Sequence, residues 1–397
     1  MVSRTVIANA PWPTARQLAH ELARPRARVS VPLPDAAGTT LAQDLAAVTP
    51  LPAFDTATMD GWAIAGAPPW RLAGHVLAGG ASLDLAPGQA VSIATGARVP
   101  RGTDAVLRSE HGVFDGTTVT PTSMAELPHG RDIRPQGEEA RPGEVLLAAG
   151  TPVTPPVLGL AAAAGHDLLT VFPRPTVDVL VLGDELLTHG PATDGRVRDA
   201  LGPQIPGWVA AAGGALRSIV AVPDQLAATV LALRSTAADL VITTGGTARG
   251  PVDQVHPALR ELNASLVVDQ VAVRPGHPML LADLGDGRLL VGLPGNPLAA
   301  AVGFSSLAAP ALAGARGLAD VPLSRGRLLA ALLAPPDAHR LVPVRVEQAG
   351  VETTLTPLPH HGPAMLRGLT SADALAVAPP GGAPAGAAVE IVVLPWR

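Results

Sequence analysis

The stretch DLVITTGGTARGPVD, residues 239–253, joins an apolar run to a glycine-rich loop that ends on an aspartate. The apolar run predicts a buried strand, and the residues after the loop predict a helix. Glycines at such a junction let the backbone approach a ligand, and amide groups at the start of a helix favour an anion such as phosphate. The stretch therefore predicts a phosphate-binding loop between a strand and a helix.

The composition predicts a soluble protein of several domains. A chain of 397 residues with 47% hydrophobic and 2% aromatic residues builds two to four cores, filled mainly by Ala, Val and Leu. All 28 basic residues are Arg, the net charge is −5, and no basic stripe occurs, so nucleic acid is not an expected partner. The absence of Cys excludes disulfides and Cys-ligated zinc.

No segment of the sequence predicts a membrane anchor. The apolar run near the N-terminus is short and is cut by Pro11 and Pro13, which is not typical of a signal peptide. The apolar run at 299–315 contains Ser305 and Ser306 and is broken by Pro310, so we expect a buried helix rather than a membrane span. We therefore expect a cytoplasmic protein.

The pattern along the chain predicts an α/β multidomain protein. Between 175 and 318 the runs TVDVLVLG, LRSIVAVP, DLVITTGG and RLLVGLPGN are each followed by a helical pattern, which predicts a parallel α/β sheet. Short alternating stretches between about 70 and 135 predict a small β-domain, and so do the runs after 320.

Three loops should meet at one edge of the predicted parallel sheet. They are VLGDELL, TTGGTARGPVD and VGLPGNP, and each places Gly after a strand. The carboxylates of Asp184, Glu185 and Asp253 beside a bound phosphate point to Mg²⁺. Alternatively, Asp184 and Glu185 cap a helix, and Asp253 is an exposed carboxylate in the first helical turn.

Eight stretches, in order, resemble the molybdopterin molybdenumtransferases, the family that includes the E domain of gephyrin. They are FDTATMDGWAI (54–64), IATGARVPRGTDAV (93–106), the segment 132–165, LGDELL, the stretch 239–253, RPGHP (274–278), GLPGNP (292–297) and HGPAMLRGLTSADAL. The resemblance implies a central parallel α/β molybdopterin-binding domain, a β-rich N-terminal insert and a small C-terminal β-barrel-like domain. The implied boundaries are 1–50 with 136–174 for a split linker domain, 51–135 for the insert, 175–318 for the central domain and 319–397 for the last.

The resemblance also implies the reaction and the partners. The substrates would be adenylylated molybdopterin and molybdate, the products molybdenum cofactor and AMP, and the metal Mg²⁺. The family implies an elongated homodimer whose active site lies between the central domain of one subunit and the N-terminal region of its partner. A molybdopterin adenylyltransferase is a possible further partner.

Residue roles follow from the matched motifs. The resemblance implies catalytic roles for Asp60, Asp184, Glu185 and Asp253, of which the last three would also hold the metal. It implies substrate or cofactor contacts for Thr95, Gly96, Gly183, Asp199, Thr244, Gly245, Gly246, Arg249, Gly250, Arg274, His277, Pro278, Pro294, Gly295, Asn296 and Arg345. For Asp60, Thr95 and Gly96 the alternative is a tight turn with a side-chain hydrogen bond, and for Arg345 a surface position on a β-ribbon.

Several positions depart from the family pattern. Hydroxyl or amide side chains of the family are replaced by Leu182, Ala200, Leu201, Ala248 and Pro363. Arg249 could compensate for the hydroxyl lost at Ala248, and Pro251 suits the first turn of the next helix.

The lysines of the family's molybdate segment are Arg274 and His277 here. A histidine is mostly neutral near pH 7 unless an anion raises its pKa, so we expect a weakened, pH-dependent oxyanion site, or alternatively a His that only packs at a turn. An active transferase is the favoured hypothesis. The alternatives are a catalytically weakened protein that binds molybdopterin or the finished cofactor, and an assembly scaffold.

Overall fold

The computed structural model describes residues 6–80, 84–123, 127–248, 250, 253–350 and 352–396. The elements up to residue 172 are β1 (Ile7–Pro11), α1 (Trp12–Leu22), β2 (Val29–Pro32), β3 (Thr40–Leu41), β4 (Leu45–Ala46), β5 (Thr56–Ala57), β6 (Gly61–Ala65), β7 (Trp70–Val76), β8 (Gln89–Ile93), β9 (Ala105–Arg108), β10 (Gly112–Phe114), β11 (Thr118–Pro121), β12 (Ile133–Arg134), β13 (Val145–Leu147), α2 (Pro155–Ala163) and β14 (Leu168–Phe172).

The remaining elements form the central and C-terminal parts. Those of the central part are β15 (Thr176–Leu182), β16 (Leu186–Leu187), β17 (Val197–Arg198), α3 (Ile205–Ala211), β18 (Ala215–Val222), α4 (Leu226–Ser235), β19 (Leu240–Thr244), α5 (Val255–Glu261), β20 (Ser265–Arg274), β21 (Leu280–Gly285), β22 (Arg288–Leu293), α6 (Pro297–Gly303) and α7 (Ala309–Ala315). Those of the C-terminal part are β23 (Ser324–Leu328), β24 (His339–Ala349), β25 (Glu352–Pro357), α8 (Arg367–Thr370), β26 (Ala374–Ala378) and β27 (Ala388–Val393).

The central sheet has a parallel half and an antiparallel half. Its order is β18-β15-β19-β22-β21-β20, and all the pairings among β18, β15, β19 and β22 are parallel, as predicted. The pairings β22–β21 and β21–β20 are antiparallel, so two antiparallel strands extend the predicted parallel sheet. The reason is local: only Asp286 and Gly287 separate β21 from β22, and so short a connection can join only antiparallel strands.

Strand β15 shows why the parallel half is buried. Val177, Val179 and Val181 belong to one hydrophobic cluster, whereas Leu180 and Leu182 belong to another. Alternate side chains of a strand point to opposite faces, so both faces of the sheet are covered. The helical segment Pro297–Ala315 has the length and hydropathy of a membrane span, but its most apolar window is 83% buried inside the protein, consistent with the predicted core helix.

The first strand and helix pack on the central sheet. Strand β1 pairs in parallel with β20, and α1 packs against α7. The helices approach so closely at Gly314 that a Cβ there would lie 2.1 Å from the carbonyl oxygen of His20. The sequence analysis assigns residues 1–50 to the linker domain, whereas Ile7–Leu22 join the central one.

The flanking parts are rich in strands. A six-stranded sheet of order β10-β11-β7-β8-β6-β9 lies in the predicted insert, and β2, β14 and β3 form a small sheet near α2. At the C-terminus β24 pairs with β25, β25 with β23, β23 with β27, β27 with β26, and β26 returns to β24. The last part is therefore a closed five-stranded barrel, which agrees with the predicted barrel-like domain.

Candidate functional site

A pocket of about 600 Å³ lies at the carboxyl ends of β15, β19 and β22. All three glycine-containing loops border it, as the parallel pairing predicted. The predicted site residues that line it are Gly183, Glu185, Asp199, Thr244, Gly245, Gly246, Asp253, Pro278, Pro294, Gly295 and Asn296.

The glycine pair after β19 is required by the backbone. Gly245 and Gly246 adopt φ angles of 79° and 66°, which L side chains rarely adopt. A Cβ at Gly246 would also lie 2.8 Å from Cδ1 of Leu182, at the end of the neighbouring strand. The pair therefore keeps the loop low over the sheet and open to a ligand. Arg249 and Pro251 of this loop lie outside the described residues.

Carboxylates cluster on one side of the pocket. The backbone amide of Asp184 donates to Oδ2 of Asp224 at 3.2 Å, and that of Asp224 donates to Oδ1 of Asp184 at 3.4 Å. Partial burial raises the pKa of Asp224, and the nearby negative charges of Asp184, Glu185 and Asp253 raise it further, against the effect of the Asp184 amide. The four carboxylates therefore repel one another, and the fold nevertheless holds them on one side of the pocket.

The sequence analysis missed Asp224. This residue lines the pocket and closely follows β18, the parallel neighbour of β15. The predicted strand LRSIVAVP is followed at once by DQ, so the rule that parallel strands end at one edge could have found it.

The predicted metal ligands, Asp184, Glu185 and Asp253, do not by themselves form a complete metal-binding site. Within the described ranges, no three side chains of His, Cys, Asp or Glu form a group that could hold a metal ion. The donor set nevertheless fits Mg²⁺, because that ion usually takes one or two protein carboxylates and completes its shell with water and substrate phosphates. Asp184, Glu185 and Asp253 are near enough to Asp224 for their charges to act on it, so a cation there would relieve their repulsion.

Asp199 organises the turn that leads into α3. Its Oδ1 accepts hydrogen bonds from the amides of Leu201 and Gly202, both at 2.9 Å. Leu201, in a position where the family has a polar residue, is only 5% exposed and belongs to the main hydrophobic cluster. The substitution therefore strengthens the core beneath the pocket. Arg198, which the sequence analysis did not select, lines the pocket next to Asp199.

The RPGHP turn reaches the pocket only through Pro278. Nε2 of the half-buried His277 donates to Oδ1 of Asn9 at 3.1 Å. Burial lowers the pKa of His277, and the charge of Arg274 lowers it further, while Asp337 and Asp269 act in the opposite sense. His277 is therefore neutral near pH 7 in the free protein, and neither it nor Arg274 lines the pocket.

Asp184 and Gly250 lie beside the pocket without lining it, and four predicted site residues of other regions also lie outside the lining. Asp60 is exposed, and its Oδ1 accepts hydrogen bonds from the amide of Thr95 at 2.6 Å and from its hydroxyl at 2.9 Å, which lowers the pKa of Asp60. Gly96, with a φ of 78°, continues this turn in the N-terminal β-rich region. Arg345 is exposed on β24 of the barrel. Within one chain these residues do not join the pocket, and their binding roles stay predictions.

Gly250 and Pro363 act through their backbones. The amide of Gly250 donates to Oδ2 of Asp253 at 2.6 Å, which fixes that carboxylate at the pocket wall. The carbonyl of Pro363 accepts from the amides of Leu298 and Ala299, at 2.9 and 3.1 Å, and so satisfies the start of α6. This backbone contact does not depend on the side chain at position 363, and it holds the C-terminal segment beside the pocket.

Protein-family models cover most of the chain. Residues 10–165 match "MoeA N-terminal region (domain I and II)", residues 178–314 match "Probable molybdopterin binding domain", and residues 325–394 match "MoeA C-terminal region (domain IV)".

Curated relatives and solved structures match over similar lengths. The chain is 34% identical over 378 residues to molybdopterin molybdenumtransferase 2 of Mycobacterium tuberculosis, covering 89% of this chain and 92% of the relative. It is 34% identical over 317 residues to the molybdopterin molybdenumtransferase of Synechococcus elongatus, covering 75% and 78%. The fold matches the molybdopterin biosynthesis MoeA protein of Pyrococcus horikoshii OT3 with a TM-score of 0.76 at 22% identity, over 97% of this chain and 99% of that one.

Asp224→Asn should stabilise the ligand-free protein at pH 7. Because folding raises the pKa of Asp224, the fold is destabilised by this group as the pH rises through that pKa, and the neutral amide avoids the penalty. We expect the variant to gain less than about 1 kcal/mol in the free energy of unfolding, since the site is partly solvated. This gain should shrink as the pH falls toward the ordinary Asp pKa of 3.8. Thermal unfolding at several pH values measures it, with exposed Asp167→Asn as the control. A gain that does not change with pH would contradict the carboxylate repulsion.

Proposed function

The chain belongs to the family of the molybdopterin molybdenumtransferases, and we propose that it inserts molybdate into adenylylated molybdopterin, giving molybdenum cofactor and AMP. The observation that carries the proposal is the pocket in which three strand-ending loops meet around Gly245, Gly246 and the carboxylate of Asp253. Its left-handed glycines let backbone amides approach a phosphorylated substrate. Its carboxylates supply oxygen ligands on the same wall.

The charge of the pocket supports a requirement for Mg²⁺. Its described lining contains four carboxylates, of Glu185, Asp199, Asp224 and Asp253, but only one cationic side chain, that of Arg198. A pyrophosphate would be repelled by this balance without a counter-cation. We propose that Glu185, Asp253 and Asp184 hold Mg²⁺ together with the substrate phosphates. The ion would neutralise phosphate charge and polarise the phosphoanhydride.

The chain's own residues would orient the substrate and move the proton. Gly245 and Gly246 bind the phosphates through the backbone, and Arg198 can pair with a phosphate oxygen. Asp224 is the carboxylate best suited to accept a proton from the attacking water, because its raised pKa brings it closer to neutral pH. Arg274 and His277, on the turn that reaches the pocket at Pro278, would attract molybdate.

We propose that the site is completed in a homodimer. Asp60 and Thr95 form an exposed hydrogen-bonded pair in the N-terminal β-rich region, remote from the pocket of their own chain. A second copy could bring this pair to the open side of the pocket. The substrate would be supplied by a molybdopterin adenylyltransferase, and the reaction would take place in the cytoplasm.

One observation bears on the weaker alternative, a cofactor-binding protein without turnover. The neutral His277 removes a positive charge from the proposed molybdate site. The pocket wall itself keeps Gly245, Gly246, Glu185 and Asp253, and the relatives matched above are named as transferases. We therefore favour the enzyme.

Release of AMP tests the proposal directly. The purified protein, given adenylylated molybdopterin, Mg²⁺ and molybdate, should release AMP only when molybdate is present. Asp253→Asn should lower kcat by roughly 100-fold or more, because it removes a charged ligand from the phosphate region. Exposed Glu261→Gln, on the helix that follows, serves as the control. Tight pterin binding with no molybdate-dependent AMP would refute the enzyme and favour the binding protein.

His277→Lys should strengthen molybdate binding at pH 8. The pKa of His277 lies below its ordinary value of 6.5, so the wild-type KM for molybdate should rise as the pH rises through that pKa. Lysine keeps its charge, and the KM of the variant should be roughly ten-fold lower, equivalent to about 1.4 kcal/mol. Steady-state kinetics from pH 5.5 to about 8.5 measure both trends, with exposed His111→Lys as the control. Equal KM values at all pH values would show that residue 277 does not contact molybdate.

Mixing two inactive variants tests the shared site. Asp60→Ala and Asp253→Asn should each inactivate the homodimer, whereas a heterodimer of the two keeps one site with both carboxylates intact. An equimolar, fully exchanged mixture should recover about one quarter of wild-type activity, because half of the dimers are mixed and half of their sites are intact. A mixture as inactive as its components, with exchange verified by mass-tagged subunits, would contradict a site shared between the two subunits.

A further inference from the structure

A second cavity lies between the central domain and the barrel. It measures about 420 Å³ and is bordered by α1, by the turn between α6 and α7, by residues 319–324 and by β27. It shares no lining residue with the glycine-loop pocket. The reaction proposed above therefore makes no use of it.

The cavity contains a half-buried cation. Nη1 of Arg16 donates to the carbonyl of Ser305 at 2.7 Å, and the guanidinium lies 5.3 Å from the ring centroid of Trp12. Burial lowers the pKa of Arg16, since the fold stabilises its charge less well than water does. Among the described residues, no carboxylate forms an ion pair with it within 4.0 Å, and Asp320 and Glu390 act only at longer range.

A buried hydroxyl lies beneath the same wall. Ser305 is 2% exposed and lines the cavity, and among the described residues its Oγ has no hydrogen-bond partner. It lies in a π-helical turn, Phe304–Ala308, that interrupts the long helical segment, and such turns often occur at functional sites. The Oγ is covered by its neighbours, so the donor that an occupant of the cavity can reach is the partly exposed guanidinium of Arg16.

The rest of the cavity selects the ligand class. Ala309, Pro310 and Val392 contribute an apolar wall, and the one acidic lining residue, Asp320, is exposed at its rim. We propose that this cavity binds a small organic anion, whose carboxylate or phosphate pairs with Arg16 and whose apolar part lies against that wall. Because the cavity joins two domains, an occupant would also tie the barrel to the central domain.

Two probes, benzoate and inorganic phosphate, test the site on the full-length protein. Thermal unfolding and calorimetric titration should show saturable binding of at least one of them. Arg16→Gln should weaken that binding by roughly ten-fold or more, the loss expected for a hydrogen bond to a charged group. Arg16→Lys should retain part of it. Response to benzoate alone identifies an organic carboxylate, and response to phosphate alone a phosphate group.

Two matched controls separate this cavity from other sites. Arg24→Gln removes an exposed guanidinium just beyond α1 and should leave the ligand response unchanged. Arg101→Gln should also leave it unchanged, because Arg101 is an exposed residue of the N-terminal β-rich region that lines neither cavity. The readout is the ligand-induced shift rather than the unfolding midpoint, so a variant that is merely less stable does not imitate the result. The proposal is overturned if neither probe binds, or if Arg16→Gln binds as tightly as the wild type.

Discussion

The parallel pairing of β15 with β18 and β19, and of β19 with β22, is the constraint on which the candidate site depends. It brings four strand ends to one edge, although these ends are spread over more than a hundred residues of sequence. Both faces of the strands are buried, so their register is fixed by packing and the loops start from a rigid base. The backbone passes close to Leu182 at Gly246, and this close approach leaves the space above the loop that forms the pocket.

The charge of that pocket indicates which kind of ligand it can bind. A wall of carboxylates with a single described guanidinium does not suit a free anion, but it suits an anion that arrives with a divalent cation. Partial burial and, to a smaller extent, the same repulsion raise the pKa of Asp224, which suits this residue to the proposed role of proton acceptor. The burial and charge of one wall thereby account for both the metal and the base of the proposed reaction. The proposed molybdate site contains a neutral His277 and therefore attracts its anion less strongly.

The domain junctions add a second level of organisation. The N-terminal strand and helix pack on the central sheet, so this first segment contacts the central domain before the β-rich insert begins. The C-terminal part reaches the pocket through Ala364, and the carbonyl of the preceding Pro363 satisfies the start of α6. The second cavity also lies between the central domain and the barrel, and among the described residues no carboxylate pairs with its Arg16 within 4.0 Å.

The sequence by itself determined the strand-loop-helix units, the glycine positions and most of the pocket wall, because these depend on local patterns: apolar runs, glycines after strands and motif order. Only the tertiary structure decided the rest. Three features depend on which strands become neighbours. They are the antiparallel strands 265–285, the position of Asp224 in the pocket wall and the position of Asp60 outside it. The lowered pKa of His277 and the unpaired Ser305 hydroxyl depend on burial by residues distant in the chain. Such contacts leave no periodic signal in the sequence, since each is formed by segments that meet only after folding.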